Sequence, residues 1–250
     1  RKAAAVIVFS DYVRRTVADR FPETQDRIFV IPPGLSPTLV RCTDPIRLET
    51  LRRRYQLPPK FILFVGDLTA RKNLPGLIEA FAALKSTHAD LHLVLAGTAE
   101  PRAAERTREW ARHAGVAHRL VETGYVAAPD LPGLYSLADA FAFPSYDEGF
   151  GLPPLEAMAC GCPVVCSGTA PVELCQDAAV ACDPNDPASI ARGLGQLLDQ
   201  PDFRKDKIDA GYRKAAEFTW EKTARATEAL YRTLLQRTAA PAPKTRLETP

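Results

Sequence analysis

The chain has 250 residues, of which 46% are hydrophobic and 25% are charged. These proportions are typical of a soluble globular protein, and the length allows one large or two modest domains. The formal net charge of +2 at pH 7 does not favour nucleic-acid binding through bulk charge. No apolar run approaches the ~18 residues of a membrane-spanning helix. The composition therefore favours neither a nucleic-acid partner nor a membrane span within this sequence.

Short apolar runs alternate with helical patterns along the chain. Strands are predicted at residues 5–10, 27–34, 61–66, 91–97, 120–126, 140–145, 162–167 and 179–184. Helices are predicted at residues 11–20, 73–84, 100–114, 129–138, 154–160, 187–199, 202–217 and 220–237. This alternation predicts an α/β fold with a mainly parallel sheet covered by helices on both faces.

The proline-rich stretch at residues 34–47 lacks clear periodicity, which predicts a linker. Residues 1–40 are then expected to end an earlier domain, and residues 41–219 to form one domain. Residues 238–250 have the composition of a flexible tail. Because the sequence begins without methionine, we expect a fragment or a processed form.

The six cysteines include no CxxC pair, so reduced thiols are expected. Cys160, Cys162 and Cys166 are close enough in sequence to raise the idea of a metal site. They fall at a predicted helix end, turn and strand, where small buried hydrophobic residues explain them better. We therefore predict no metal there.

Cationic residues follow the predicted strand at residues 61–66, where open parallel sheets bind ligands. Gly66 allows the backbone to turn closely, and Arg71 and Lys72 lie on the loop just ahead of a helix. Two adjacent cations at such an edge suit a phosphate or diphosphate. Taken alone, the pair is better explained as two solvated surface cations.

An acidic, glycine-rich loop follows the predicted strand at residues 140–145. Glu148 precedes the turn Gly149-Phe150-Gly151, and Pro153 and Pro154 suit the start of a helix whose free N–H groups face the loop. Glu156 is expected in the first turn of that helix, where complementarity to the helix dipole would also explain it. Glu148 alone could be a solvated loop acid. The two acids and the glycine turn together favour a ligand site.

Other strand ends carry weaker signals. Thr98, Tyr125 and Val126 each begin a loop at the same predicted edge and could lie along a nucleotide base. No GxxxxGK[ST], GxGxxG, GxSxG or HExxH motif occurs, which disfavours P-loop, nicotinamide-dinucleotide, serine-hydrolase and zinc-protease chemistry.

The combined motifs resemble those of retaining GT-B glycosyltransferases, especially glycosyltransferase family 4 (group 1). The likeness covers residues 1 to about 237 and rests on "EGFGLPPLE" (an E-x7-E pattern), "FVGDLTARKNLPGLIEAF", "TGYVAAPDLPGLYSLADAFAFPS", "PNDPASIARGL" and "FTWEKTARATEALY". It implies two Rossmann-like domains with the active site between them. This chain then corresponds to the donor-binding C-terminal domain, the end of the N-terminal domain, and a final helix at residues 220–237 that returns toward that domain.

The same resemblance implies a role for each matching residue. Glu156 resembles the acid that binds the donor's ribose hydroxyls, and Glu148 resembles the acid near the transferred sugar. Arg71 and Lys72 resemble the pair that neutralises the diphosphate. The resemblance also implies backbone contacts with the donor. Gly66 would lie beneath the diphosphate, and the backbone of Val126 would contact the base. The backbone amides that would contact the sugar and phosphate are those of Gly149, Phe150, Gly151 and Leu152.

The resemblance implies transfer of a mannose- or glucose-type hexose from a GDP-, UDP- or ADP-sugar, with retention of configuration. Neither a cofactor nor a metal is expected. The acceptor would be a glycan or a lipid-linked glycan in polysaccharide biosynthesis. It would be bound in the cytoplasm, largely by the N-terminal domain. Membrane association would occur only through parts outside this sequence. The alternatives are a non-catalytic nucleotide-sugar binding module or another GT-B enzyme, such as a sugar-nucleotide epimerase or a phosphorylase.

Overall fold

The first described segment forms a small parallel sheet. The structure, a computed structural model, describes residues 3–98 and 100–239. Strands β1 (Val6–Val8) and β2 (Ile28–Val30) pair in parallel, and helix α1 (Asp11–Arg20) connects them with a 3-10 segment. Ser10 caps α1, because its side chain accepts a hydrogen bond from the amide of Val13.

The main body is a six-stranded sheet in which every adjacent pair of strands is parallel. Its strands are β3 (Lys60–Val65), β4 (Leu91–Ala96), β5 (Leu120–Gly124), β6 (Ala140–Phe143), β7 (Val164–Cys166) and β8 (Ala179–Ala181), in the spatial order β5-β4-β3-β6-β7-β8. The central strands β3 and β6 are buried along almost their whole length, which explains their near-continuous apolar sequences. The predicted α/β parallel sheet is thereby confirmed.

Helices cover the sheet. They are α2 (Pro45–Tyr55), α3 (Leu74–Ala83), α4 (Pro101–His113), α5 (Leu131–Leu137), α6 (Leu152–Ala159), α7 (Thr169–Cys175), α8 (Pro187–Asp199), α9 (Pro201–Ala215) and α10 (Trp220–Ala239). Helix α3 packs against α4 and α8, whereas α5 packs against α2 and α6, and α6 packs against α9. These two groups match the helical layers of a doubly wound α/β fold.

The strand order places a topological switch point between β3 and β6. From β3 the chain builds outward through β4 to β5, and from β6 it builds the opposite way through β7 to β8. Loops that leave neighbouring strands in opposite directions open a crevice at their carboxyl ends. The loops after β3 and β6 carry the cationic pair and the acidic turn that the sequence singled out.

The N-terminal segment crosses the entry to α10. The amide of Leu35 donates to the carbonyl of Phe218 at 3.0 Å, and the hydroxyl of Thr223 donates to the carbonyl of Pro32 at 2.8 Å. These contacts join the end of the β1–β2 segment to the start of the last helix. The domain boundaries at residues 40, 219 and 237 stay predictions.

Some local predictions differ from the structure, and one falls outside the described residues. Helix α7 was not predicted, and α2 begins at Pro45, inside the predicted linker, where the Asp44 side chain accepts from the amide of Ile46. Helix α6 begins at Leu152 rather than at Pro154, so Glu156 is its fifth residue and lies beyond the first turn. The predicted tail lies, from residue 240 onward, outside the described residues.

Candidate functional site

The loop after β3 presents Arg71 and Lys72 on a short 3-10 turn, Ala70–Lys72. It begins at Gly66, whose φ of 150° favours glycine, and ends at Asn73, which caps α3. The Asn73 side chain accepts from the amide of Gly76 at 3.2 Å and donates to the carbonyl of Pro184 at 2.7 Å. The cationic turn is therefore anchored both to α3 and to the segment after β8.

Glu148 is the point on which both cations converge. The Lys72 ammonium lies 2.6 Å from Oε1 of Glu148, and the Arg71 guanidinium lies 2.7 Å from Oε2. Arg71 also donates to the carbonyl of Asp147 at 2.9 Å, and the Lys72 ammonium lies 4.6 Å from the centre of the Phe143 ring. The side chains of Lys72 and Glu148 are each 11% exposed, whereas that of Arg71 is 51% exposed.

The electrostatics of this trio leave positive charge unbalanced. Burial alone would raise the pKa of Glu148, but the hydrogen bonds from Lys72 and Arg71 outweigh it, and the net pKa lies below its ordinary value. Glu148 is therefore an anion at neutral pH, held by two cations. A ligand with negative charge would complete the neutralisation of the pair.

The turn from Gly149 to Leu152 follows directly and leads into α6. The hydroxyl of Ser10 donates to the carbonyl of Gly149 at 2.6 Å, and the Phe150 ring meets Phe9 edge-on at 6.5 Å. Gly151 is the N-cap of α6 and provides no side-chain acceptor, so the first N–H groups of that helix are not capped by it. The turn is thus held from the β1 side while its amides remain suited to an anion.

Glu156 lies apart from the Glu148 cluster. Its Oε2 accepts a hydrogen bond from the hydroxyl of Tyr135 at 2.9 Å, and burial raises its pKa although that hydrogen bond lowers it. Glu156 lines a cavity of about 500 Å³ beside the segment before α2 and the start of α5. The cavity is lined by Ser36, Thr38, Leu39, Val40, Cys42, Arg47, Ala128, Pro129, Leu131, Pro132 and Glu156.

The remaining predicted residues lie at other strand ends. Val126, which follows β5, is buried with its side chain in the core, so only its backbone is suited to a ligand. Thr98, after β4, borders a second cavity of about 580 Å³. That cavity is lined by Asp67, Leu68, Thr69, Ala70, Thr98, Glu100, Ala103 and Arg106.

Phe143 contacts a predicted cation and Tyr135 a predicted acid, although no motif in the sequence singles out either residue. Phe143 was assigned only to a strand, and its ring under Lys72 follows from the register of β6. Tyr135 was assigned only to a short helix, and its contact with Glu156 depends on how α5 packs on α6. A buried tyrosine requires a hydrogen-bond partner, and that rule was the available signal.

The described part of the chain contains neither a metal-binding cluster of side chains nor a membrane-spanning helix. Within residues 3–98 and 100–239, no three His, Cys, Asp or Glu side chains are grouped so that they could hold a metal ion. Over the same part of the chain, no helix is long and apolar enough to cross a membrane.

The doubly wound sheet, with cationic and acidic loops at its switch point, defines an α/β domain with a candidate ligand site at that point. The family described as "Glycosyl transferases group 1" matches residues 49–214, which is more than half of the chain. The chain therefore belongs to the group 1 glycosyl transferases. This confirms the recognised group 1 family, whereas family 4 membership and a retaining mechanism stay predictions.

Curated relatives agree with this family. The O-antigen chain mannosyltransferase B of Escherichia coli is 34% identical over 245 residues, which cover 93% of this chain and 61% of that protein. The D-inositol 3-phosphate glycosyltransferase of Acidothermus cellulolyticus is 33% identical over 243 residues, covering 90% of this chain and 53% of that protein. The chain thus spans between about half and three fifths of these relatives.

Solved structures of other proteins share the fold. Sucrose-phosphate synthase from Thermosynechococcus elongatus superposes with a TM-score of 0.79 and 26% identity, covering 94% of this chain and 59% of that one. HepE from Anabaena, solved in complex with UDP and glucose, superposes with a TM-score of 0.83 and 21% identity, covering 92% of this chain and 64% of that one.

Proposed function

We propose that this chain binds the nucleoside diphosphate sugar of a retaining, family 4 glycosyltransferase, which transfers a mannose- or glucose-type hexose to an acceptor hydroxyl. The observation that carries the proposal is the convergence of Arg71 and Lys72 on Glu148 at the switch point. The mannosyltransferase relative supports the sugar class, and the UDP complex of HepE supports a nucleotide-sugar donor.

The chemistry needs charge stabilisation at the leaving group. Cleavage of a sugar–diphosphate bond leaves the bonding electron pair on a phosphate oxygen, so negative charge grows there. Arg71, Lys72 and the amides at the start of α6, which no N-cap side chain occupies, are donors already held in place for that charge. In this proposal these groups of the chain, and no metal, stabilise the departing nucleoside diphosphate.

Glu148 would accept hydrogen bonds from hydroxyls of the transferred sugar. Both of its oxygens are engaged by cations, and its lowered pKa makes it a weak base and a poor nucleophile. This favours attack by the acceptor on the same face that the diphosphate leaves, which retains configuration. Glu156, with its cavity, would accept from the vicinal hydroxyls of the ribose.

The proposal assigns the acceptor, a glycan or a lipid-linked glycan, to a cleft shared with an N-terminal domain of the same enzyme. The contacts of Ser10 and Phe9 with the turn at Gly149 and Phe150 support this, since they bring the β1–β2 segment against the proposed donor site. In a non-catalytic binding module, the same donor contacts would serve recognition alone.

The test is ligand-induced stabilisation of this chain. Thermal unfolding is followed with UDP, GDP, ADP and their glucose or mannose conjugates. A ligand at ~100 times its dissociation constant adds about 2.7 kcal/mol to the free energy of unfolding. Arg71→Ala should abolish the shift, whereas Arg53→Ala, which removes an exposed cation on α2, should leave it unchanged. Stabilisation by none of these nucleotides would contradict the proposal.

A further inference from the structure

Tyr135 is a fully buried phenol with a hydroxyl that reaches one ligand-facing acid. Its side chain is 0% exposed, and its ring meets Phe141 edge-on at 5.5 Å. The hydroxyl donates to Oε2 of Glu156 at 2.9 Å, joining α5 to α6 across 21 residues of sequence. A phenol packed this tightly has few rotamers, so the position of its oxygen is set by the core.

This contact holds one side of the Glu156 carboxylate. An ionised carboxylate has about four acceptor sites on its two oxygens, and Tyr135 takes one of them. The other sites remain for a ligand in the cavity that Glu156 lines. A vicinal diol presents two hydroxyl donors at adjacent carbons, and a carboxylate held in one orientation can accept both.

We propose that Tyr135 is a positioning residue of the donor site, holding the Glu156 carboxylate in the orientation that accepts the two ribose hydroxyls of the nucleotide. This inference rests on the proposed function, in which Glu156 binds the ribose.

The surroundings of Glu156 make the Tyr135 hydroxyl its main polar support. Among the titratable and charged groups around it, Cys160 follows the end of α6, and Cys42 and Arg47 line the cavity. The Arg47 guanidinium is engaged by the carbonyl of Pro129. Burial raises the pKa of Glu156, and the Tyr135 hydrogen bond opposes that rise. Without the hydroxyl, the acid would be both less oriented and more readily protonated.

The test compares a nucleoside diphosphate with its 2′,3′-dideoxy counterpart, using the base that stabilises the chain. Wild type should bind the ribose form more tightly. Tyr135→Phe should weaken the ribose form about tenfold, the effect expected of one charge-assisted hydrogen bond, and leave the dideoxy form unchanged. Its affinity for the ribose form should also begin to fall at a higher pH than in wild type, because protonation of Glu156 then begins earlier.

Tyr231→Phe is the control. Tyr231 lies on α10, is 57% exposed and does not line the Glu156 cavity, so the substitution removes a phenol hydroxyl that is remote from Glu156. It should leave the ribose preference and the pH profile unchanged. In a double-mutant cycle, the losses from Tyr135→Phe and Glu156→Gln should not add, since both remove the same contact.

Retention of the ribose preference and the pH profile by Tyr135→Phe would overturn the inference and leave Tyr135 a purely structural residue. If Glu156→Gln also binds both nucleotides as wild type does, the proposed ribose role of Glu156 fails instead. Should Tyr135→Phe not fold, 3-fluorotyrosine at position 135 replaces it. That more acidic phenol should keep Glu156 ionised to a lower pH, so the affinity for the ribose form should begin to fall at a lower pH than in wild type, and an unchanged pH profile would overturn the inference.

Discussion

At the scale of single residues, Glu148 pairs with the same two cations that a diphosphate would meet. Each of its oxygens pairs with one of the two cations proposed to bind the donor's phosphates. A phosphate that enters must share Arg71 and Lys72 with this carboxylate. In the proposed site, Glu148 would therefore compete with the diphosphate for the two cations, and its contact with the sugar would be available only to a complete donor.

This competition predicts opposite effects on binding and transfer. Glu148→Gln should raise the affinity for the nucleoside diphosphate without sugar about fivefold, roughly one charge–charge contact at a partly exposed site. Sugar transfer by an enzyme that carries the substitution should fall. Calorimetric titration at low and high salt measures the first effect. Glu173→Gln, which removes a surface acid paired with Arg15, should change neither. Weaker diphosphate binding by Glu148→Gln would contradict the competition.

The lowered pKa of Glu148 also predicts how stability depends on pH. A carboxyl group whose pKa is lower in the folded state than its ordinary 4.5 stabilises the fold above that value. The contribution is lost as pH falls through the lower, folded value. Urea unfolding should show wild type more stable than Glu148→Gln at pH 7, with the difference shrinking below about pH 4.5. A difference that grows on acidification would contradict the assignment.

At the scale of elements, Asn73 ties the cationic turn to the sheet. It has a left-handed φ of 56°, caps α3 through Gly76 and donates to Pro184, and it is fully buried. Asn73→Ala loses both hydrogen bonds and forces alanine into that conformation, which should cost about 3 kcal/mol. Asn73→Gly is the control. Asn73→Gly loses the same hydrogen bonds without the conformational strain. Its free energy of unfolding in urea should therefore exceed that of Asn73→Ala by about 1 kcal/mol. Equal free energies of unfolding for Asn73→Ala and Asn73→Gly would contradict the expected backbone strain in the alanine variant.

How far the sequence predicts the elements depends on where their stability comes from. Strands β3, β4 and β6 are buried on both faces, so an apolar run predicts each to within two residues. Helix α7 has seven residues and contains Pro171, and so short an apolar segment does not distinguish a helix from a loop, so its formation depends on tertiary packing. A local sequence pattern predicts a strand that is buried along its whole length. It misses a short helix whose stability comes from packing against other elements.

The candidate site divides in the same way. The sequence predicts that the Arg71–Lys72 loop and the Glu148 loop share an edge, because parallel strands end at the same side of a sheet. The strand order that makes β3 and β6 neighbours cannot be predicted from the sequence of either strand or its loop. The separate position of Glu156, with Tyr135 and its cavity, depends on the packing of α5 on α6, which no sequence spacing specifies.

At the scale of the whole molecule, the N-terminal segment and the last helix meet at Gly34. A side-chain carbon there would lie 2.1 Å from the amide nitrogen of Trp220, so no larger residue fits without separating the two backbones. The crossing is coupled to the candidate site, because the segment before α1 also contacts the Gly149 turn through Ser10. A substitution that separates the two backbones at Gly34 should therefore also destabilise the turn at Gly149–Leu152.

Gly34→Ala tests this coupling. It should lower the free energy of unfolding by about 3 kcal/mol, since backbone must move on both sides of the clash. Gly195→Ala, inside α8, is the control. Its added carbon would meet nothing closer than 3.8 Å, and alanine favours a helix by about 1 kcal/mol, so it should stabilise. Hydrogen exchange should rise in Gly34→Ala at the first turn of α10 and at Gly149–Leu152 together. Faster exchange at α10 alone would show that the crossing and the donor turn are independent, and that the β1–β2 segment holds the turn without help from the last helix.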